Sequence, residues 1–177
     1  MANYETISVT EDDLFALQQI GKRTFEETYA FGNTPENLKS YLKEKFAIPR
    51  LREELNTPDS IFYFVCEGDK ILGYMKLNFG KAQTESRDLR AAEIERIYIL
   101  KSCQGRGLGQ LLFDKAVQVA KQRQASSLWL GVWTKNPRAI KFYKRNGMQK
   151  FGRHLFTLGR EDQEDLMMRL QFPTGAS

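Results

Sequence analysis

Six consecutive residues, Gln104-Gly105-Arg106-Gly107-Leu108-Gly109, sit between a predicted strand and the first turn of a predicted helix. A helix N-terminus presents unpaired backbone N–H groups and the positive end of the helix dipole. Glycines there let an anion approach without a Cβ in the way, which suits a pyrophosphate. The same glycines also suit a plain turn that needs positive φ. Two other phosphate loops fit poorly. A P-loop needs a lysine after its last glycine, where Gln110 and Leu111 stand, and a dinucleotide loop needs its third glycine one residue later than Gly109. His154 is the single histidine, so neither a histidine metal cluster nor a second-histidine Ser-His-Asp triad can be assembled. Cys66 and Cys103 are far apart and lack CxxC spacing, which argues against a disulfide framework or a zinc site. No metal is expected.

The turn needs a strand before it and a helix after it, and the chain supplies both. Ala92 to Leu100 reads as a strand, with Glu93, Glu95, Ile97 and Ile99 facing one way and Ile94, Arg96 and Tyr98 the other. Leu108, Leu111, Leu112, Ala116, Val119 and Ala120 then mark a long amphipathic helix, followed by an apolar strand over 128–133. Strand, helix and strand make a βαβ unit. Asn136-Pro137 opens a short helix that Gly147 ends. Upstream, a short apolar stretch around Ile7 precedes a helix over about 11–29, started by Thr10 with Asp13. Thr34-Pro35 starts a second helix carrying Leu38, Tyr41, Leu42 and Phe46, and Leu51 and Leu55 suggest another turn or two. The aromatic run 61–66, the Gly68-Asp69 punctuation and the apolar run 71–79 form a hairpin. Residues 81–90 read as a loop, and strands over 148–158 and 165–170 close the domain.

Strand, Gln104-x-x-Gly107-x-Gly109, helix resembles the Q/R-x-x-G-x-G/A turn of the GNAT superfamily of N-acetyltransferases, which holds the pyrophosphate of acetyl-coenzyme A. The segment 136–147, with Asn136, Ala139, Phe142, Tyr143 and Gly147, is similar to that superfamily's N-x-x-A-x-x-F-Y-x-x-x-G signature. Within the superfamily, Thr34-Pro35-Glu36-Asn37 with Tyr41-Leu42, the strands 93–99 and 129–133, and Gly152-x-His154-x-Phe156 with Gly159 and Asp165 resemble the PaiA-type spermine/spermidine N-acetyltransferases of bacteria. The resemblance covers nearly the whole chain. It implies an α/β (α+β) GNAT fold: a central twisted mixed sheet of about seven strands, flanked by helices and splayed between strands 4 and 5.

The reaction so implied moves acetyl directly from the thioester of acetyl-CoA to a primary amine, and the resemblance points to a polyamine such as spermidine or spermine. The amine must lose a proton, the thioester oxygen must be polarised, and the departing thiolate must be protonated. The resemblance makes Tyr143 the acid; a core aromatic with a satisfied hydroxyl is the plainer reading. It assigns Ile97, Tyr98 and Ile99 backbone contacts to the oxyanion and pantetheine, and Gln104, Gly105, Arg106, Gly107, Leu108 and Gly109 to the phosphates. Asn136, Ala139, Phe142, Tyr143 and Arg145 complete the donor site, although Asn136 equally suits a helix cap. Glu95 is the first candidate for the base and Glu93 the second; either carboxylate can instead bind the amine's charge while water takes the proton. Glu26, Glu27 and Glu36 are candidates for an acceptor-side rim, or an ordinary solvated helix face.

With 27 Lys and Arg against 22 Asp and Glu, the net charge is +5, a field that favours anions. Acidic and basic residues interleave without a basic run, so a nucleic-acid arm is not expected. The length of 177 residues and 41% hydrophobic content suit one domain over 1–172 with a tail at 173–177. No stretch is apolar enough for a membrane span, and the N-terminus lacks a signal-peptide pattern, so a cytoplasmic protein is expected. Another amine (a protein N-terminus, an amino acid or an aminoglycoside) stays open as acceptor, as does a non-catalytic acetyl-CoA-binding regulator. Relatives are commonly homodimers.

Overall fold

The computed structural model describes residues 1–85 and 88–173. Two positions of the loop expected at 81–90 and most of the expected tail, 174–177, lie outside the described residues. Seven strands form one sheet in the order β1-β2-β3-β4-β5-β7-β6. They are β1 Tyr4–Ser8, β2 Ser60–Glu67, β3 Lys70–Phe79, β4 Ala92–Ile99, β5 Ser127–Trp133, β6 Gln149–Leu158 and β7 Glu161–Gln171. Every neighbouring pair is antiparallel except β4 with β5. That parallel pair is joined only at its start, Ala92 with Leu128 and Glu93 with Trp129. Beyond those residues the strands diverge, so the sheet is splayed between its fourth and fifth strands, as the resemblance implies. A parallel connection needs a crossover, and the helix α4 Leu108–Gln122 provides it.

Local chemistry explains the helices that frame the splay. In α4 the buried residues Leu108, Leu112, Phe113, Ala116, Val119 and Ala120 recur at three- and four-residue spacing, which lays one stripe on the sheet. Each fully buried leucine there contributes about 1.5–3 kcal/mol. The short helix α5 Pro137–Arg145 starts with the Asn136 side chain accepting from the Ala139 N–H at 3.2 Å. The opposite sheet face is covered by α1 Leu14–Tyr29, α2 Pro35–Lys45 and α3 Ile48–Leu55. Thr34 caps α2 through the Asn37 N–H at 3.2 Å, with Pro35 in its first turn. Leu17, Phe25, Phe46, Leu51, Phe62 and Phe64 are buried in the core.

Two expectations are corrected. β7 begins at Glu161, four residues before the expected start, because Gly159 at φ +63 closes a tight turn that carries the acidic segment into a hairpin with β6. The alternation expected along β4 also breaks. Ile94 lies opposite Leu77 and Arg96 opposite Lys76, leaving Glu95 as the extra residue of a β-bulge. One extra residue exchanges the faces of everything beyond it. Glu93, Arg96 and Tyr98 therefore share a face with Asn78, Lys76 and Tyr74, while Ile94, Ile97 and Ile99 turn to the other side.

Candidate active site

The divergence of β4 from β5 opens a cleft of about 390 Å³. Among the described residues, no strand takes up the β5-side backbone of β4 beyond Glu93, so Ile97, Tyr98 and Ile99 line the cleft. At one end lies the glycine turn. Gly105 and Gly107 sit at φ +83 and +81, and a Cβ on either would meet nothing within 4 Å. Conformation, not packing, calls for glycine at both. The first bond inside α4 runs from Leu111 N–H to Gly107 O at 3.1 Å, and no side chain among the described residues caps the helix. The N–H groups of Leu108, Gly109 and Gln110 are thus available to an anion. Gln104, Leu108 and Gly109 line the cleft beside them.

Cations near this turn are arranged differently from the sequence expectation. Arg145 lines the cleft, and so does Arg138, which donates to Gln104 Oε1 at 2.9 Å. Arg106 does not line it; its guanidinium is solvent-exposed and reaches Ser102 O at 3.4 Å. Sequence reasoning passed over Arg138. Its signal was available, because it is the second residue of a helix whose N-terminus faces the turn.

From α5, Asn136, Ala139, Phe142 and Tyr143 all line the cleft. Tyr143 is buried and packs against Phe113 and Phe142. Burial, with a smaller contribution from Tyr98, holds its phenol well above the ordinary tyrosine value. Tyr143 is therefore protonated at neutral pH and able to donate. Tyr143 is thus a packed core aromatic that also borders the cleft.

The candidate carboxylates separate. Glu95 lines the cleft, and its Oε2 lies 2.8 Å from Lys76 Nζ and 3.4 Å from Arg96. Glu54 joins the same cluster, 2.8 Å from Arg96 and 3.3 Å from Lys76. Burial raises the Glu54 carboxyl, but bonds and charge from Arg96 and Lys76 outweigh it and hold the group at about 2. Two carboxylates thus balance two cations in a half-buried cluster beneath the cleft. Glu93 lies elsewhere. It is buried, accepts from Asn78 Nδ2 at 3.1 Å and from the Thr84 N–H at 2.8 Å, and also bonds Thr84 Oγ1. It ties the loop after β3 to the sheet and does not line the cleft. Glu26, Glu27 and Glu36 do not line it either; Glu27 accepts from the Lys101 N–H at 3.3 Å.

On the α1 side the cleft has an aromatic wall that sequence reasoning missed. Tyr29 packs on Trp133 at 4.9 Å and on Phe156 at 6.0 Å between ring centres, and its hydroxyl is 3.5 Å from that of Tyr98. Tyr29, Tyr98, Gly131 and Trp133 line this part. Gly131 interrupts an otherwise apolar strand, a sequence sign of close approach by another group. A Cβ there would stand 3.0 Å from Asp165 Oδ2 and 3.2 Å from His154 Cε1.

This geometry can be set beside known proteins. The model of the acetyltransferase (GNAT) family matches residues 20–148. An uncharacterized N-acetyltransferase encoded in the pepI 3′ region of Lactobacillus delbrueckii subsp. lactis is 38% identical over 96% of this chain and 98% of its own. The spermidine N(1)-acetyltransferase of Thermoplasma acidophilum is 22% identical over 78% of this chain and 83% of its own. The structure of the PaiA N-acetyltransferase of Thermoplasma acidophilum in complex with coenzyme A matches with a TM-score of 0.78 at 18% identity, over 96% of this chain and 99% of that one. At that identity the likeness is one of fold. The chain belongs to the GNAT family of acetyltransferases. Its reaction is acetyl transfer to nitrogen, with acetyl-CoA as donor. Among the described residues, no helix is long and apolar enough to cross a membrane.

Proposed function

We propose that this enzyme acetylates a primary amine of a small cationic acceptor, with spermidine and spermine the first candidates, through one domain spanning residues 1–172 that works in the cytoplasm. The observation carrying the proposal is the two-ended cleft. One end has uncapped α4 N–H groups with Arg138 and Arg145, which suit a pyrophosphate. The other has a wall of tyrosine and tryptophan with carboxylates behind it, which suits an alkyl ammonium through packing and cation–π attraction. The Thermoplasma relative named for spermidine supports the same acceptor class. The reading holds for a monomer or a homodimer alike.

In this reading the glycine turn and the first turn of α4 hold the phosphates. Backbone groups of Ile97, Tyr98 and Ile99 align the pantetheine and polarise the thioester oxygen. Donor hydrogen bonds aimed at developing charge are commonly worth about 10²–10³-fold in rate. Tyr143 delivers a proton to the departing sulfur. Glu95, with Lys76 and Arg96 fixed around it, shapes the field met by the incoming amine. Coenzyme A release measured with spermidine, spermine, an aminoglycoside and N-terminal peptides as separate acceptors tests the proposal. Saturable turnover with polyamines is expected; saturable turnover confined to peptides or aminoglycosides would overturn the acceptor class.

A further inference from the structure

The carboxylates considered so far leave the proton of the incoming ammonium without a dedicated acceptor, since Glu93 is sealed off and Glu95 is engaged by two cations. A third carboxylate is better situated. Asp165 stands on β7 opposite His154 of β6 and Trp133 of β5; it does not itself line the cleft, but its Oδ2 lies 3.0 Å from where a Cβ on the cleft-lining Gly131 would stand. Its Oδ1 is shut off from solvent and has no hydrogen-bond partner among the described residues, and His154 Nδ1 is in the same condition. A buried, unpaired carboxylate oxygen costs free energy that a protein rarely leaves uncompensated. An alkyl ammonium entering along the aromatic wall would supply the missing donors.

We propose that Asp165 binds the ammonium group of the acceptor and takes the proton that this group must lose. This assignment rests on the reading of the cleft as an amine site. One N–H bond of the ammonium breaks and its proton passes to Asp165. The freed lone pair forms the C–N bond, the C–S bond of the thioester breaks, and Tyr143 gives its proton to sulfur. The second proton shed by nitrogen returns to Tyr143 and the first leaves Asp165 for solvent, so one proton is released per acetyl group transferred.

The surroundings favour such a base. Burial raises the Asp165 carboxyl to about 6, while His154 draws it down. A base titrating just below neutral pH is ionised in the free enzyme yet still basic enough to accept a proton. The titratable groups facing it are Tyr29 from α1 and Tyr98 from β4, both held neutral by burial, and His154 from β6. Glu85 from the loop after β3 lies 3.9 Å from His154 Nδ1.

The test compares wild type, Asp165→Asn and His154→Gln in spermidine acetylation from pH 5 to 9, with acetyl-CoA affinity measured by calorimetry and folding checked by thermal melting. For Asp165→Asn, kcat/KM for spermidine falls at least about 100-fold, the acid limb near pH 6 disappears, and acetyl-CoA affinity changes less than about twofold. For His154→Gln the limb moves to higher pH, because the charge that lowered the carboxyl is gone. Carbon NMR of the Asp165 carboxyl gives a readout independent of turnover: adding spermidine to the coenzyme A complex lowers its midpoint. Wild-type turnover that survives in Asp165→Asn with the limb intact overturns the role of Asp165 and leaves the acceptor reading standing. Wild type that neither acetylates an amine nor shifts the Asp165 midpoint overturns both.

Discussion

Asp165→Asn should make the protein more stable at neutral pH. The carboxyl titrates at about 6 in the folded chain and near 4 when unfolded. The folded state therefore binds the proton more tightly. Sign follows from that: the favourable contribution is complete below about pH 4 and is lost as pH rises through 6, leaving an ionised, poorly solvated carboxylate at pH 7.5. Two pH units correspond to about 3 kcal/mol. Residual solvent contact lowers the expectation to about 2 kcal/mol, or about 4–8 °C in Tm for a chain of this size. Asparagine keeps the shape and removes the charge, so the variant's Tm exceeds that of wild type by this margin at pH 7.5. The margin shrinks toward zero by pH 4.5. Melting curves followed by circular dichroism across that range are sufficient. A difference independent of pH, or a variant less stable than wild type at pH 7.5, would refute the reasoning. A residue that costs stability where it stands is a sign of function elsewhere in its chemistry.

Three other outcomes are expected. Tyr143→Phe should retain acetyl-CoA affinity within about twofold by calorimetry while turnover falls about 10²-fold or more in a coenzyme A release assay; undiminished turnover would remove Tyr143 as the acid. Glu93→Gln should leave kcat within about twofold but lower the unfolding free energy from urea titration by about 1–3 kcal/mol, because one buried acceptor of the Thr84 and Asn78 bonds becomes a donor. Lys76→Met should destabilise by about 3–5 kcal/mol in the same assay, since it leaves the carboxylates of Glu54 and Glu95 short of a cation in a half-buried cluster.

Much of the donor half of the site was legible in the chain. Gln104 to Gly109 and 136–147 carry their chemistry in local order: a strand, a turn that must take positive φ, a helix N-terminus and an asparagine cap are all short-range features. On the other side of the cleft, His154 and Asp165 stand out in the sequence, but their juxtaposition does not. Asp165 and His154 are eleven residues apart in the chain and become neighbours only through the β6–β7 register, and both meet Gly131 only because β7 pairs with β5. Strict alternation puts Glu93 and Glu95 on one face, which leaves both as candidates for the base, Glu95 first. A single bulged residue breaks that alternation, and bulges leave little trace in sequence.

The sequence alone determined the order of elements, the glycine turn before α4 and the short helix that carries Tyr143, because caps, glycines and apolar periodicity act within a few residues of themselves. Tertiary structure alone decided where each carboxylate lies relative to the cleft. Charge partners and desolvation come largely from elsewhere in the fold: Lys76 on β3, together with neighbouring Arg96, engages Glu95, the loop after β3 encloses Glu93, and the closing hairpin carries Asp165 close to Gly131.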